Sequence, residues 1–268
     1  MKDFKNKIVV ITGAGSGMGR ALAINFANQG AKLALNDFNE KGLKETVALL
    51  PSSTEVFTSV FDVSKKEDMF KFADDVFKKY GKVDAMINNA GVAIAKFTVD
   101  KVSVEDYEWI LGINMWGIMY GSLAFLPYLR KQKESSLVNF SSIFGLHGIP
   151  GQAPYATSKF AVRGFTESLE LEEKIHKTGV AVSCVHPGGV KTNIAKASRG
   201  AELDPESIKN FEKLFFTSAE KAAQIIINGM RKKKSRILVG IDAHFFHYFV
   251  NRVRFIAKYI LIGGYKNT

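Results

Sequence analysis

Tyr155 and Lys159 stand four residues apart in Tyr155-Ala-Thr-Ser-Lys159, and Ser142 precedes them by thirteen. On a helix, positions i and i+4 share a face, so the Lys159 ammonium would lie beside the Tyr155 phenol and favour its phenolate. A phenol of ordinary pKa about 10 would then serve proton transfer near neutral pH. Ser142 follows the apolar, strand-like run Leu137-Val-Asn-Phe140, where its hydroxyl could hydrogen-bond a substrate oxygen beside that phenol. Taken alone the spacing is weak evidence, because a solvated helix face would look the same.

The elements that must position this trio begin at the N-terminus. Ile8-Val-Val-Ile11 reads as a buried strand running into Thr12-Gly-Ala-Gly-Ser-Gly-Met-Gly19, and Ala21, Leu22, Ile24 and Phe26 supply the apolar positions of a helix ending near Gly30. A strand, a turn of small residues and a helix N-terminus form a cradle for a pyrophosphate: backbone N–H groups point at the anion and glycine allows close approach. The glycines stand at 13, 15, 17 and 19, so the spacing is Gly13-x-x-x-Gly17-x-Gly19 rather than Gly-x-Gly-x-x-Gly. The next apolar run, Leu33-Ala-Leu35, delivers Asp37, eighteen residues beyond Gly19. A carboxylate there would accept hydrogen bonds from an adenosine ribose and repel a 2′-phosphate, which favours NAD over NADP.

In these residues the chain resembles the short-chain dehydrogenase/reductase family along nearly its whole length. Thr12, Gly13, Gly15, Ser16, Gly17, Met18 and Gly19 look like its cofactor turn, and Asp62-Val63 like its adenine contact. Asn88-Asn89-Ala90-Gly91 is similar to its fourth-strand signature, and Pro187-Gly188 with Val190 and Thr192 to the segment that holds the nicotinamide. Asn114, Ser142, Tyr155 and Lys159 fall where its catalytic tetrad would place them. The resemblance implies hydride transfer between a nicotinamide and an alcohol or carbonyl. Tyr155 would be the acid/base and Ser142 would orient the substrate oxygen. Lys159 would bind the nicotinamide ribose and lower the Tyr155 pKa, and Asn114 would hold a water relaying protons to Lys159.

That assignment makes chemical sense, since removing a hydride from an alcohol carbon requires a proton to leave its oxygen. The nicotinamide carries the hydride, and the protein positions the substrate and supplies the base. No clustering of acids suggests a glycosidase, and no ligand set suggests a metal. The single cysteine, Cys184, lies in the apolar run Val180-Ala-Val-Ser-Cys-Val185 and reads as a core residue, with no internal disulfide. His186 abuts Pro187 and could simply shape that turn. His147, five residues beyond Ser142, is expected to be a structural or surface residue on the substrate side.

The 268 residues, 46% hydrophobic and 24% charged, suit one α/β domain, a single NAD(P)-binding Rossmann-type unit over 1–268. Apolar runs near 7–12, 32–36, 55–61, 83–88, 136–141, 180–186 and 236–240 alternate with helical patterns. They imply a doubly wound parallel sheet of about seven strands with helices on both faces. The pattern loosens between 192 and 217, the expected substrate lid. Its apolar residues Ile194, Leu203, Phe211, Leu214, Phe215 and Phe216 would suit a lipophilic alcohol or ketone, although packing on the sheet explains them equally well.

Met1 to Lys7 is polar and the first apolar run is too short to span a bilayer, so a cytoplasmic protein is expected. The net charge of +11 is concentrated late in the chain, in Arg231-Lys-Lys-Lys234, Arg236, Arg252, Arg254 and Lys258. Residues 244–268 read as a basic amphipathic tail, with His247, Asn251, Arg254 and Lys258 on one face. It would cover a subunit interface in a homodimer or homotetramer, roof the substrate pocket, or touch an anionic membrane. No nucleic-acid module accompanies the charge. A regulatory dinucleotide-binding protein of the same fold is the main alternative, and a tuned phenol argues against it. An epimerase or dehydratase with the same Tyr and Lys would usually carry a larger C-terminal region.

Overall fold

The computed structural model describes residues 3–95, 98–195, 197–200, 206 and 215–250. The first half alternates strands and helices: β1 Ile8–Thr12, α1 Gly17–Asn28, β2 Lys32–Asp37, α2 Glu40–Ala48, β3 Val56–Val60, α3 Lys66–Tyr80 and β4 Ala85–Asn88. A long helical run follows as α4 Val104–Leu111, a π turn at Gly112–Trp116 and α5 Gly117–Leu129. Then come β5 Ser135–Phe140, α6 Ala153–Ile175, β6 Val180–Pro187, the short β7 Val190–Lys191 and β8 Thr217–Ser218, α7 Ala219–Arg231, β9 Arg236–Val239 and α8 Ile241–Phe245.

Seven strands form one parallel sheet in the order β3-β2-β1-β4-β5-β6-β9. Strands buried on both faces read as continuous apolar runs, which is why they were legible. Side chains still alternate across the sheet: Val9 and Ile11 join the core beneath α1 and α7, while Ile8 and Val10 join the core beneath α3 and α5. Local chemistry sets the helix ends. Asn39 caps α2 by accepting from Gly42 N at 3.0 Å, Ser103 caps α4 by accepting from Asp106 N at 3.1 Å, and Gly81 ends α3 with φ +72°. The run Val104–Leu129 is apolar and long enough to match a bilayer span, but half of its most apolar stretch is buried in the protein, where it contacts α3 and α6.

The strand order reverses between β1 and β4, so the loops after these strands part and leave a crevice at the carboxyl edge. A second, two-stranded pairing was not expected. β7 and β8 lie parallel, with Val190 opposite Thr217 and Lys191 opposite Ser218. The expected lid of 192–217 therefore leaves and re-enters the body at adjacent points, and Thr217 belongs to a strand rather than to the lid. Within that lid Phe215 is buried and Phe216 is exposed, while Leu203, Phe211 and Leu214 lie outside the described residues. Most of the expected tail, from 251 onward, also lies outside them. Its start is docked: His247 is within 3.4 Å of Arg236 Nη1, and Arg236 is ion-paired with Glu167 of α6.

Candidate active site

The turn after β1 presents bare backbone. Ser16 is the N-cap of α1, yet its side chain makes no capping bond and the first turn holds no acidic residue, so the helix N–H groups face the crevice without a side-chain acceptor. A methyl group at Gly19 would collide with the Gly13 carbonyl oxygen, so only glycine lets the first turn of α1 close onto the loop. The loop after β4 packs against this turn. Thr12 Oγ1 accepts from Asn89 N and Ala90 N, each at 3.2 Å, and Asn89 Nδ2 donates to the Thr12 and Gly13 carbonyls at 2.9 and 3.0 Å. From the other side, the Thr192 methyl lies 3.1 Å from where a Gly17 Cβ would stand. The glycine turn, Asn89-Ala90 and Thr192 thus border a single anion-accepting crevice, and the partly buried Met18 packs behind it against the core.

At the end of β2, Asp37 is only 8% exposed. Its Oδ2 accepts from Gly15 N at 2.7 Å and its Oδ1 from Asn39 N at 2.9 Å, which fixes the carboxylate at the rim of the crevice. Arg20 is a basic side chain that reaches the turn, and its Nε and Nη2 are engaged. It donates to the Gly15 carbonyl at 2.5 Å, the Gly42 carbonyl at 3.2 Å, Thr46 Oγ1 at 2.9 Å and Glu45 at 2.9 Å. Asp62 accepts from Ser64 N at 2.9 Å, and Val63 is buried against Gly117 at the head of α5.

The four proton-transfer residues converge from three places: the end of β5, the start of α6 and the π turn. Ser142 follows β5, and its hydroxyl is hydrogen-bonded to the Tyr155 phenol. Tyr155 and Lys159 lie one turn apart near the start of α6, with Lys159 Nζ 5.5 Å from the Tyr155 ring centroid. Lys159 Nζ donates to the Phe140 carbonyl at 3.1 Å, while Ser141 Oγ donates to the Lys159 carbonyl at 2.7 Å, so the lysine is tied to the end of β5 at both ends. Asn114 sits in the π turn, fully buried. Its Oδ1 accepts from Val92 N at 2.8 Å, and its Nδ2 donates to the Val92 carbonyl at 2.9 Å and to Ser158 Oγ at 3.2 Å. Gly91 marks where they meet: a Cβ there would stand 3.2 Å from Asn114 Oδ1 and 3.4 Å from Lys159 Nζ.

Burial dominates the electrostatics. It pushes the Tyr155 phenol up to about 12, against the opposing pull of the Ser142 hydrogen bond. It also brings the Lys159 ammonium down to about 8. The expected lowering of the phenol by its neighbouring lysine is not seen: desolvation sets the direction, Ser142 alone opposes it, and the Lys159 ammonium is directed at the Phe140 carbonyl. In this arrangement Tyr155 is a protonated phenol at neutral pH, in the state that a proton donor requires.

Asn139 and Asp242 were not singled out in the sequence, and His186 was read there only as shaping the turn at Pro187. His186, with no exposed surface, has Nδ1 2.9 Å from the Ser142 carbonyl. Burial pulls its pKa down to about 4, so the neutral ring must donate through Nδ1, which steadies the backbone of Ser142. Asn139 of β5 bridges Asn88 at 2.8 Å and Thr166 at 3.1 Å, joining β4, β5 and α6 under the site. Asp242 of α8 accepts from Gly189 N at 2.5 Å, in the loop that carries Pro187, Gly188, Val190 and Thr192. Its place just past a carboxyl-edge strand was the available signal. His147 is buried, with its ring 6.4 Å from that of Phe246.

A family model described as short chain dehydrogenase matches residues 7–203. The chain belongs to the short-chain dehydrogenase/reductase family. A Mycobacterium tuberculosis member, SadH, whose assignment as an oxidoreductase is itself provisional, is 42% identical over 247 residues, covering 91% of this chain and 89% of its own. The levodione reductase of Leifsonia aquatica is 31% identical over 207 residues, 76% of each chain. A short-chain dehydrogenase/reductase from Burkholderia phymatum, solved in complex with NAD, superposes with a TM-score of 0.85 at 29% identity, covering 97% of this chain and 96% of that one. The shared family makes the chain an oxidoreductase of this type, and the Rossmann-like sheet is the family's architecture.

Proposed function

We propose that the protein is an NAD-dependent oxidoreductase that interconverts a lipophilic alcohol and its ketone or aldehyde. One observation carries the reading: Ser142 and Lys159 meet Tyr155 at the carboxyl edge of the sheet, beside a crevice whose glycine turn and open helix N-terminus suit a dinucleotide. Thr12 to Gly19, Asp37, Asp62-Val63, Asn89 to Gly91 and Pro187 to Thr192 would hold that cofactor. A bound nicotinamide supplies or accepts the hydride. The Ser142 hydroxyl donates to the substrate oxygen, and the Tyr155 O–H protonates it as the carbonyl carbon gains the hydride. In the oxidative direction the Tyr155 O–H must first give its proton to solvent, and the phenolate so formed takes the hydroxyl proton. Both Asn114 side-chain donors are committed to Val92 and Ser158, so any water relayed to Lys159 would be held by the Asn114 main chain.

Asp37 supports NAD over NADP: a 2′-phosphate would meet its fixed carboxylate, and Arg20 is spent on backbone carbonyls and Glu45. Aromatic walls support a lipophilic substrate, with Phe144 edge-on to Tyr155 at 5.8 Å and Phe246 beside His147. Exposed Trp116 at the end of the π turn, Leu123 on α5 and Phe160 on α6 support a homo-oligomer, and the lone, buried Cys184 supports a reducing, cytoplasmic setting. Contact of the tail with an anionic membrane remains part of the proposal on charge alone.

The test is a panel of lipophilic alcohols and ketones followed by NADH absorbance, with Tyr155→Phe as control. Turnover should fall by roughly a thousandfold or more in the variant while NAD binding persists. Undiminished turnover would refute the proton-transfer role of Tyr155.

A further inference from the structure

We propose that Asp242 is a positioning residue for the nicotinamide end of the cofactor site, acting through the main chain of Gly188 and Gly189. The inference rests on the reading of 187–192 as the segment that faces the nicotinamide.

The chain leaves β6 through Pro187-Gly188-Gly189. Proline offers no N–H, and the two consecutive glycines after it have the greatest backbone freedom, so Gly188-Gly189 has little intrinsic preference for one path. It must nevertheless deliver Val190 to the β7–β8 pairing and Thr192 to the glycine turn. Two main-chain bonds guide it, Gly188 N to the Val239 carbonyl at 2.9 Å and Thr217 N to the Gly189 carbonyl at 3.3 Å. The remaining donor, Gly189 N, is taken by the Asp242 carboxylate at 2.5 Å.

That carboxylate also lies flat on Gly188, where a methyl group would collide with all three of its carboxyl atoms. One of its oxygens, Oδ1, also crowds Gly240, whose φ of +101° turns the chain from β9 into α8 and brings Asp242 back under the loop. Gly188, Gly240 and Asp242 therefore interlock: the two glycines clear the space, and the carboxylate fills it and fixes the Gly189 amide. An aspartate that served only to start α8 would not need to reach across to the end of β6.

The experiment compares two probes on the full-length chain by calorimetric titration. NAD carries the nicotinamide, whereas ADP-ribose shares the rest of the dinucleotide but lacks it. Asp242→Leu keeps the size and removes the acceptor; Asp242→Asn keeps an acceptor oxygen. Asp242→Leu should weaken NAD binding by about tenfold, the loss for one main-chain N–H deprived of its partner, while ADP-ribose affinity changes by less than about threefold. Asp242→Asn should stay within about threefold of the wild type for both probes. If the leucine variant does not fold, Gly188→Ala, which displaces the same carboxylate, replaces it with the same expectation. Equal weakening for both probes, unchanged NAD affinity, or an asparagine variant as impaired as the leucine variant would overturn the proposal. A wild-type chain that binds neither probe would sink the dinucleotide reading itself, a result separate from any behaviour of the variants.

Discussion

Replacing Lys159 by methionine should make the protein more stable at neutral pH while removing its turnover. Lys159 is 4% exposed, and the pKa of its ammonium is drawn from 10.5 to about 8 by burial. A lysine whose folded pKa lies below its unfolded value favours folding above 10.5, and that contribution is lost as the pH falls through about 8. At about 1.4 kcal/mol per pH unit, carrying the buried charge costs about 3 kcal/mol near pH 7 and under about 1 kcal/mol near pH 10. Methionine has similar length and no charge, but it abandons the Phe140 carbonyl, which costs about 1 kcal/mol at any pH. The variant should therefore be about 2 kcal/mol more stable than the wild type near pH 7 and roughly equal to it near pH 10. Guanidinium unfolding of both proteins at the two pH values measures this, and taking the difference cancels every other titrating group. A variant that is less stable at pH 7, or a difference that does not change with pH, would refute the account of Lys159 as a buried charge retained for chemistry.

Two further substitutions probe the crevice. Asp37→Ala should bring the NAD and NADP dissociation constants to within about tenfold of each other, since it removes the anion facing a 2′-phosphate. It should also weaken both, because Gly15 N and Asn39 N lose their acceptor; a wild type that prefers NADP in direct titration would contradict the cofactor assignment. Gly19→Ala should lose NAD binding and at least about 2 kcal/mol of stability, as the methyl group drives the first turn of α1 away from the Gly13 carbonyl. Unchanged denaturation midpoint and affinity would show that the turn is looser than its geometry indicates.

The parallel sheet was legible because strands buried on both faces leave continuous apolar runs, and the glycine turn because its neighbours on either side are plainly strand and helix. Tyr155, Lys159 and Ser142 were legible as residue types at a spacing. The direction of their pKa shifts was not, because desolvation depends on what packs over them, and that comes from β5, the π turn and the loop after β4. The β7–β8 pairing was invisible for a different reason: two residues on each side carry no periodicity. Asp242 and His186 act on main-chain groups more than forty residues away, and such partners emerge only when the carboxyl edges of β5, β6 and β9 are brought together.

The π turn that holds Asn114 also sets the angular phase between the two helices it joins. An α-helix advances about 100° per residue, so the wider loop at Gly112–Trp116 lets α4 and α5 keep one axis while their faces fall out of step. Loss of one residue here, with the turn tightening to an ordinary α-helix, would rotate Ile110 on α4 away from its core neighbours or swing Ser122 on α5 away from Asn88. Residue count in this stretch is therefore constrained as tightly as residue identity. Two helices that resemble one continuous rod work as a crank, with Asn114 at the throw.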